Sequence, residues 1–252
     1  MELDPKKSPT KNRPRGIYLL PNILTTSAIF AGFYSIVAAM KGYFDSAAIA
    51  VFIAMIADGL DGRVARMMNT QTAFGAEYDS LSDMVSFAIA PALIMYSWSL
   101  SSLGKVGWLI AFIYTAATAL RLARFNTQAH DEDKRYFQGL PCPSAAAVLA
   151  SMVWCCSYYE ITGIFIAIPA AIVTFAVAGL MVSNIRYYSF KQIDLKGKVS
   201  FFIVVLLVLM LAAIAIDPPQ VLFGIFFLYA CSGPAMTLWQ LRKVKNKRKL
   251  EK

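Results

Sequence analysis

The sequence predicts an all-α fold, a polytopic integral membrane helix bundle of eight spans. Three observations carry that expectation. Of 252 residues, 58% are hydrophobic and only 15% charged, with a mean hydropathy of +0.56; a soluble domain of this length buries its core with far less apolar sequence. Eight apolar stretches approach the ~20 residues that a helix needs to cross a ~30 Å hydrocarbon layer. The Lys and Arg residues, finally, gather almost entirely on one side of those stretches.

The expected spans run Ile23–Met40, Ser46–Ala65, Asp79–Trp98, Val106–Leu122, Ala145–Tyr159, Ile164–Val182, Val199–Ile216 and Gln220–Leu238. Short connections such as "KGYFDS", "YEITG" and "DPP" make sequential neighbours antiparallel hairpins. Ahead of the first span, Ile17, Leu19 and Leu20 beside a basic tail suggest a short interfacial helix ended by Pro21. The roughly 16 leading residues are polar and basic, without the apolar core of a secretion signal, so the first span is expected to remain as an anchor.

Charge sets the orientation. Of 24 Lys and Arg residues, all but Lys41 and Lys105 fall on the side of the N-terminal tail. By the positive-inside rule that side is cytoplasmic, and an even number of spans places both termini there. The net charge of +9 therefore has a topological cause and suits anionic lipid headgroups; a nucleic-acid partner is not implied. Cys142, Cys155, Cys156 and Cys231 show no CxxC spacing and read as small buried hydrophobes, outside any metal site or disulfide framework. His130, in "HDEDK", reads as a solvated loop residue.

Against this apolar background stand Asp58 and Asp61, three apart, and Asp79 and Asp83, four apart. Such spacings share a helix face, and the intervening hairpin brings the two pairs together. Four carboxylates facing one another in low dielectric repel strongly. A divalent cation cancels that charge, and an all-oxygen donor set favours Mg²⁺, Mn²⁺ or Ca²⁺ over zinc. Gly62 and Arg66 follow Asp58 at i+4 and i+8 on the same face. Gly59, Gly62 and Gly75 leave room for close approach, and the planar fork of Arg66 matches phosphate oxygens. Acids, metal, arginine and glycines together describe a diphosphate site at the membrane surface. Read alone, Asp79 also fits an N-cap of the third helix.

These residues carry a family resemblance. "DGLDGRVARMMNTQTAFGAEYDSLSD" resembles the signature of the CDP-alcohol phosphotransferases, D-x-x-D-G-x-x-A-R, eight residues, then G-x-x-x-D-x-x-x-D. Every specified position matches: Asp58, Asp61, Gly62, Ala65, Arg66, Gly75, Asp79 and Asp83. The resemblance implies a six-helix membrane core, usually dimeric, with a cytoplasm-facing site. It divides the chain into a basic tail and interfacial segment (1–22), a catalytic core (23–182), a cytoplasmic loop (183–198), two additional helices (199–239) and a basic tail (240–252). It implies two divalent ions held by Asp58, Asp61, Asp79 and Asp83, with Asp83 also the general base. Gly62, Arg66, Thr72, Asn22 and Thr25 would contact the CDP-diacylglycerol donor.

The acceptor is less rigidly encoded. "ARFN", "FQGLPCPSAA" and "VSNIRYYSFK" resemble the bacterial and archaeal phosphatidylserine synthases of this family. That implies L-serine as acceptor, phosphatidylserine and CMP as products, and a bacterial cytoplasmic membrane. Arg121, Arg124, Asn126 and Gln138 lie on the expected cytoplasmic face and are candidate serine-binding residues, an arginine for the carboxylate. Gly139, Pro141 and Pro143 suggest a stiff turn able to close over the site. Glycerol 3-phosphate or an inositol phosphate is the rival acceptor and would want a denser basic pocket. A cation transporter would instead place acids along a path near the midplane; here they gather at one face.

Overall fold

The computed structural model describes residues 19–68, 70, 72–128, 136–188 and 201–250. His130, Ile17 and most of the expected tail and loop cations lie outside these ranges. The first hairpin joins α1 (Leu19–Met40) to α2 (Phe44–Met67) through a turn in which Gly42 has φ +79°, a backbone region open to glycine. The helices approach closely because their facing residues are small: Ala28, Ala31, Ala38, Ala47, Ala48 and Ala54 are buried. Ser35 Oγ crosses the seam to the Ala47 carbonyl at 2.8 Å.

Pro21 does not end a separate interfacial helix. It sits within the first turn of α1, where its missing N–H would have had no intrahelical partner.

The next membrane helix runs Ala73–Trp98 in three parts: α3 (Ala73–Asp83), a π-helical turn (Met84–Ile89) and α4 (Ala90–Trp98). It starts six residues before the expected Asp79, and its N-cap is Thr72, whose side chain accepts the Gly75 N–H at 3.0 Å. Asp79 is therefore an interior helical residue, free of the capping role open to it from sequence. The widened turn begins directly after Asp83, and such turns concentrate where a helix must present a functional group. Three contacts fix the stretch to its neighbours: Ser82 Oγ to the Thr25 carbonyl at 3.3 Å, Ser86 Oγ to the Ala28 carbonyl at 3.0 Å, and Tyr114 Oη to the Phe87 carbonyl at 2.9 Å.

A 3₁₀ turn (Leu100–Leu103) leads to α5 (Lys105–Gln128), followed by α6 (Cys142–Tyr158), α7 (Ala167–Val182), α8 (Phe201–Ile216) and α9 (Pro218–Leu250). The centre of the bundle is α6, whose Ala145–Ala150 run is fully buried between α2, α4, α7 and α9. α8 packs chiefly on α9. Phe30, Met40, Ile168 and Leu228 are each two-thirds or more exposed; that much outward apolar surface suits lipid. By length and composition Leu20–Met40, Ala73–Trp98, Lys105–Thr127 and Pro218–Trp239 can each cross a membrane, while α6, α7 and α8 are shorter apolar helices. Of the cysteines, only Cys142 is fully buried, and Cys231 is exposed on α9.

One element departs from the all-helical expectation. β1 (Tyr136–Gln138) pairs antiparallel with β2 (Arg186–Tyr188), Phe137 opposite Tyr187. The expected 183–198 loop thus begins with a strand that ties the α5–α6 connection to the end of α7. At the turn after β1, Gly139 has φ +72°, Pro141 caps α6 and Pro143 lies in its first turn.

Candidate active site

Three helices build the site. α2 contributes Asp58, Asp61, Gly62 and Arg66; α3 contributes Asp79 and Asp83; α1 lies across both with Asn22 and Thr25. Carboxylate oxygens of Asp58, Asp61 and Asp79 all lie within 4.8 Å of one another. Asp83 completes the group, its side chain within hydrogen-bonding reach of Asp58 and close to Asp79 and Asp61. The two forks expected from spacing alone do converge.

Thr25 Oγ1 donates to Asp61 Oδ2 at 2.6 Å and also lies 3.1 Å from the Pro21 carbonyl. Asp61 further meets the backbone N–H of Gly62, with Arg66 nearby. Asp61 is buried, and Asp58, Asp79 and Asp83 are half-buried. Asp83 Oδ1 is buried without a hydrogen-bond partner, and a buried carboxylate oxygen in that state wants a cation. The donor set is entirely carboxylate oxygen, so the residues fit a hard divalent ion of the Mg²⁺, Mn²⁺ or Ca²⁺ kind.

Two cavities flank the acids. The smaller, about 240 Å³, is lined by Asn22, Thr25, Gly62, Arg66, Thr72 and Gly75, together with Asp61 and Asp79. All five residues expected at the CDP moiety therefore line one cleft. No neighbour would meet a Cβ on Gly59 within 4 Å, and on Gly62 only the Arg66 guanidinium would, at 3.6 Å. Gly62 lines the cleft and leaves its space open there, whereas Gly59 is exposed and lines neither cavity. Thr70 Oγ1, on the same wall, is buried without a partner.

The larger cavity, about 840 Å³, opens on the other side of the acids. Its lining combines charged residues, Asp58, Asp79, Asp83, Arg63 and Arg121, with apolar ones, Leu122, Phe125, Ile225, Phe226 and Leu228. Asp79 stands on the wall of both cavities.

The four candidate serine-binding residues do not share one point. Arg121 lines the larger cavity, donates from Nη1 to Cys142 Sγ at 3.1 Å, and keeps Nε buried without a partner. Arg124 instead bonds Gln138 and, at 2.8 Å, Asn184 Oδ1. Asn126 donates to Ser80 Oγ at 2.9 Å. Arg124, Gln138 and Asn184 join α5 to the two-stranded ribbon, and Asn126 joins α5 to α3. Sequence reasoning missed Arg63, Ser144, Tyr229 and Ser232 of the larger cavity. The α9 residues carried no signal, because they sit in a uniformly apolar stretch remote in sequence from the aspartates.

The chain is similar to known proteins over most of its length. Residues 18–182 match the family described as CDP-alcohol phosphatidyltransferase, a segment ending at the last residue of α7. The chain is 38% identical over 219 residues to a Helicobacter pylori protein named CDP-diacylglycerol–serine O-phosphatidyltransferase, covering 84% of this chain and 90% of that one. A Mycobacterium bovis protein of the same name is 30% identical over 246 residues, with 88% and 81% covered. An archaetidylserine synthase of Methanothermobacter thermautotrophicus is 34% identical over 170 residues, with 67% and 69% covered.

Proposed function

The chain belongs to the CDP-alcohol phosphatidyltransferase family, and from that premise we propose that it transfers the phosphatidyl group from CDP-diacylglycerol to L-serine, releasing CMP. The observation that carries this reading is the meeting of two unlike cavities at Asp79. The smaller cleft, with Arg66 and two glycines in its lining, suits a nucleotide diphosphate. The larger one, whose lining mixes charged and apolar side chains, suits a small acceptor beside a diacylglycerol. The reacting phosphorus then lies between them, against the acids. The names of the relatives support serine in particular.

Each residue has a task in the reaction. Asp58, Asp61, Asp79 and Asp83 would hold one or two divalent ions, which when bound neutralise the diphosphate and stabilise the departing CMP. Thr25 orients Asp61 by its hydrogen bond. Gly62, Arg66, Thr72 and Asn22 seat the CDP moiety. Asp83, facing the larger cavity, takes the serine hydroxyl proton as that oxygen forms its bond to the phosphatidyl phosphorus. The phosphorus–oxygen bond to CMP breaks with its electron pair leaving on CMP. The acyl chains remain against the apolar lining and in the surrounding lipid, which explains why a charged site is set between membrane helices.

The Lys and Arg distribution supports a cytoplasmic site and cytoplasmic termini, in a bacterial cytoplasmic membrane. The family resemblance supports a homodimer, and a core of 23–182 to which 199–239 is added. The test is CMP release by the purified protein with CDP-diacylglycerol, Mn²⁺ and one alcohol at a time. Serine is expected to support release; release with glycerol 3-phosphate or an inositol phosphate and not with serine overturns the acceptor assignment.

A further inference from the structure

α9 lies beyond the segment that matches the family, yet it forms one wall of the larger cavity through Ile225, Phe226, Leu228, Tyr229 and Ser232. Its seating is specific. Pro234 lies inside the helix and has no N–H to give the carbonyl four residues earlier, that of Ala230. The hydroxyl of Tyr187 donates to that carbonyl at 2.8 Å. Tyr187 is fully buried on β2, and its ring occupies the space where a side chain on residue 233 would stand; Gly233 leaves it open. The backbone group freed by the proline is thus used as a docking point for the ribbon.

One residue before Ala230, the ring of Tyr229 packs on that of Tyr187, centroids 5.6 Å apart. The Tyr229 phenol lies within electrostatic range of Arg121, and both line the cavity that holds Asp83. A guanidinium and a phenol lining one cavity can converge on an anionic oxygen group held between them. In this cavity that group comes from the acceptor's carboxylate or from a donor phosphate, and the acceptor side is favoured because Arg66 already lines the separate cleft.

We propose that Tyr229 and Arg121 together bind the carboxylate of the acceptor serine, and that Tyr187, through Ala230, Gly233 and Pro234, is a positioning residue that sets α9 in register for it. The proposal rests on the serine reading above. It gives the added C-terminal helix a part in acceptor choice.

The test compares L-serine with L-serinamide, which keeps the hydroxyl and ammonium but lacks the carboxylate, in CMP release by full-length protein in detergent with CDP-diacylglycerol and Mn²⁺. Tyr229→Phe is expected to raise KM for serine about tenfold, the scale of one lost hydrogen bond to a charged group. KM for serinamide and for CDP-diacylglycerol should stay as in the parent protein, the latter showing a folded donor site. Tyr187→Phe should move KM for serine in the same direction by a smaller factor, again without moving that for CDP-diacylglycerol. An unchanged serine KM in Tyr229→Phe overturns the proposal while leaving serine as the acceptor. A raised KM for CDP-diacylglycerol instead assigns the pair to a donor phosphate and also overturns it. If the parent protein does not use serine at all, both readings fall together.

Discussion

The hydroxyl of Thr25 on α1 donates to Asp61 on α2 across 2.6 Å, inside the bundle. The bond fixes which oxygen of Asp61 is offered to the neighbouring carboxylates, and it links α1, which lines the smaller cleft, to the acidic cluster. Removing a group that orients a metal ligand costs ~10- to 100-fold in metal affinity or activity. Thr25→Ala is therefore expected to raise the Mn²⁺ concentration for half-maximal CMP release by at least about tenfold. Thr25→Ser, which keeps the hydroxyl, should stay close to the parent protein. A metal dependence unchanged in Thr25→Ala would remove Thr25 from this role.

Asp83 is the acid assigned to proton transfer, and its Oδ1 is buried with no hydrogen-bond partner. Asp83→Asn keeps the shape and abolishes the base, so turnover should fall by roughly 10²- to 10⁴-fold. Mn²⁺ binding, followed by electron paramagnetic resonance, should persist in weakened form through Asp58, Asp61 and Asp79. Near-normal turnover in this variant would exclude Asp83 as the base.

Arg66 lines the smaller cleft beside Gly62. A lysine there keeps the charge and loses the planar fork that binds two phosphate oxygens. Arg66→Lys is expected to raise KM for CDP-diacylglycerol by about tenfold, one charge-assisted hydrogen bond, with KM for serine unaffected. The opposite split would place the acceptor, not the nucleotide, in that cleft.

Gly233 and Gly224 lie on the same helix in different surroundings. A Cβ on Gly233 would overlap the buried Tyr187 ring, whereas one on Gly224 meets nothing within 4 Å. Overpacking a filled site costs about 1–3 kcal/mol, and an alanine in place of glycine in an open helix position gains up to about 1 kcal/mol. Gly233→Ala should lower the midpoint of thermal unfolding in detergent, and Gly224→Ala should hold or raise it. Equal effects at the two positions would contradict the packing described here.

The aspartates were legible because helical spacing alone puts Asp58 with Asp61 and Asp79 with Asp83, and one hairpin must then bring the pairs together. Gly62 and Arg66 share that helical spacing, whereas Asn22, Thr25 and Thr72 were named only through the family resemblance; all five line one cleft. Helix ends were less legible: α5 continues past Leu122 to Gln128 because a helix leaving the lipid keeps its hydrogen bonds in water, where hydropathy no longer reports it. The ribbon was hidden because two three-residue strands fifty residues apart carry no local periodicity. The joint of Tyr187 with Ala230 was hidden for the same reason, since nothing near Pro234 says which distant hydroxyl takes the freed carbonyl. Arg124 and Gln138 could be placed from sequence only by membrane face; the bonds that Arg124 makes to Gln138 and to Asn184 were not legible there.

The most direct test of the acidic cluster is serine-dependent CMP release measured before and after strict chelation. Release is expected to stop when divalent ions are removed and to return on adding Mn²⁺ or Mg²⁺, with no recovery in Asp61→Asn. Release that continues undiminished in the chelated protein would contradict a metal-centred role for Asp58, Asp61, Asp79 and Asp83.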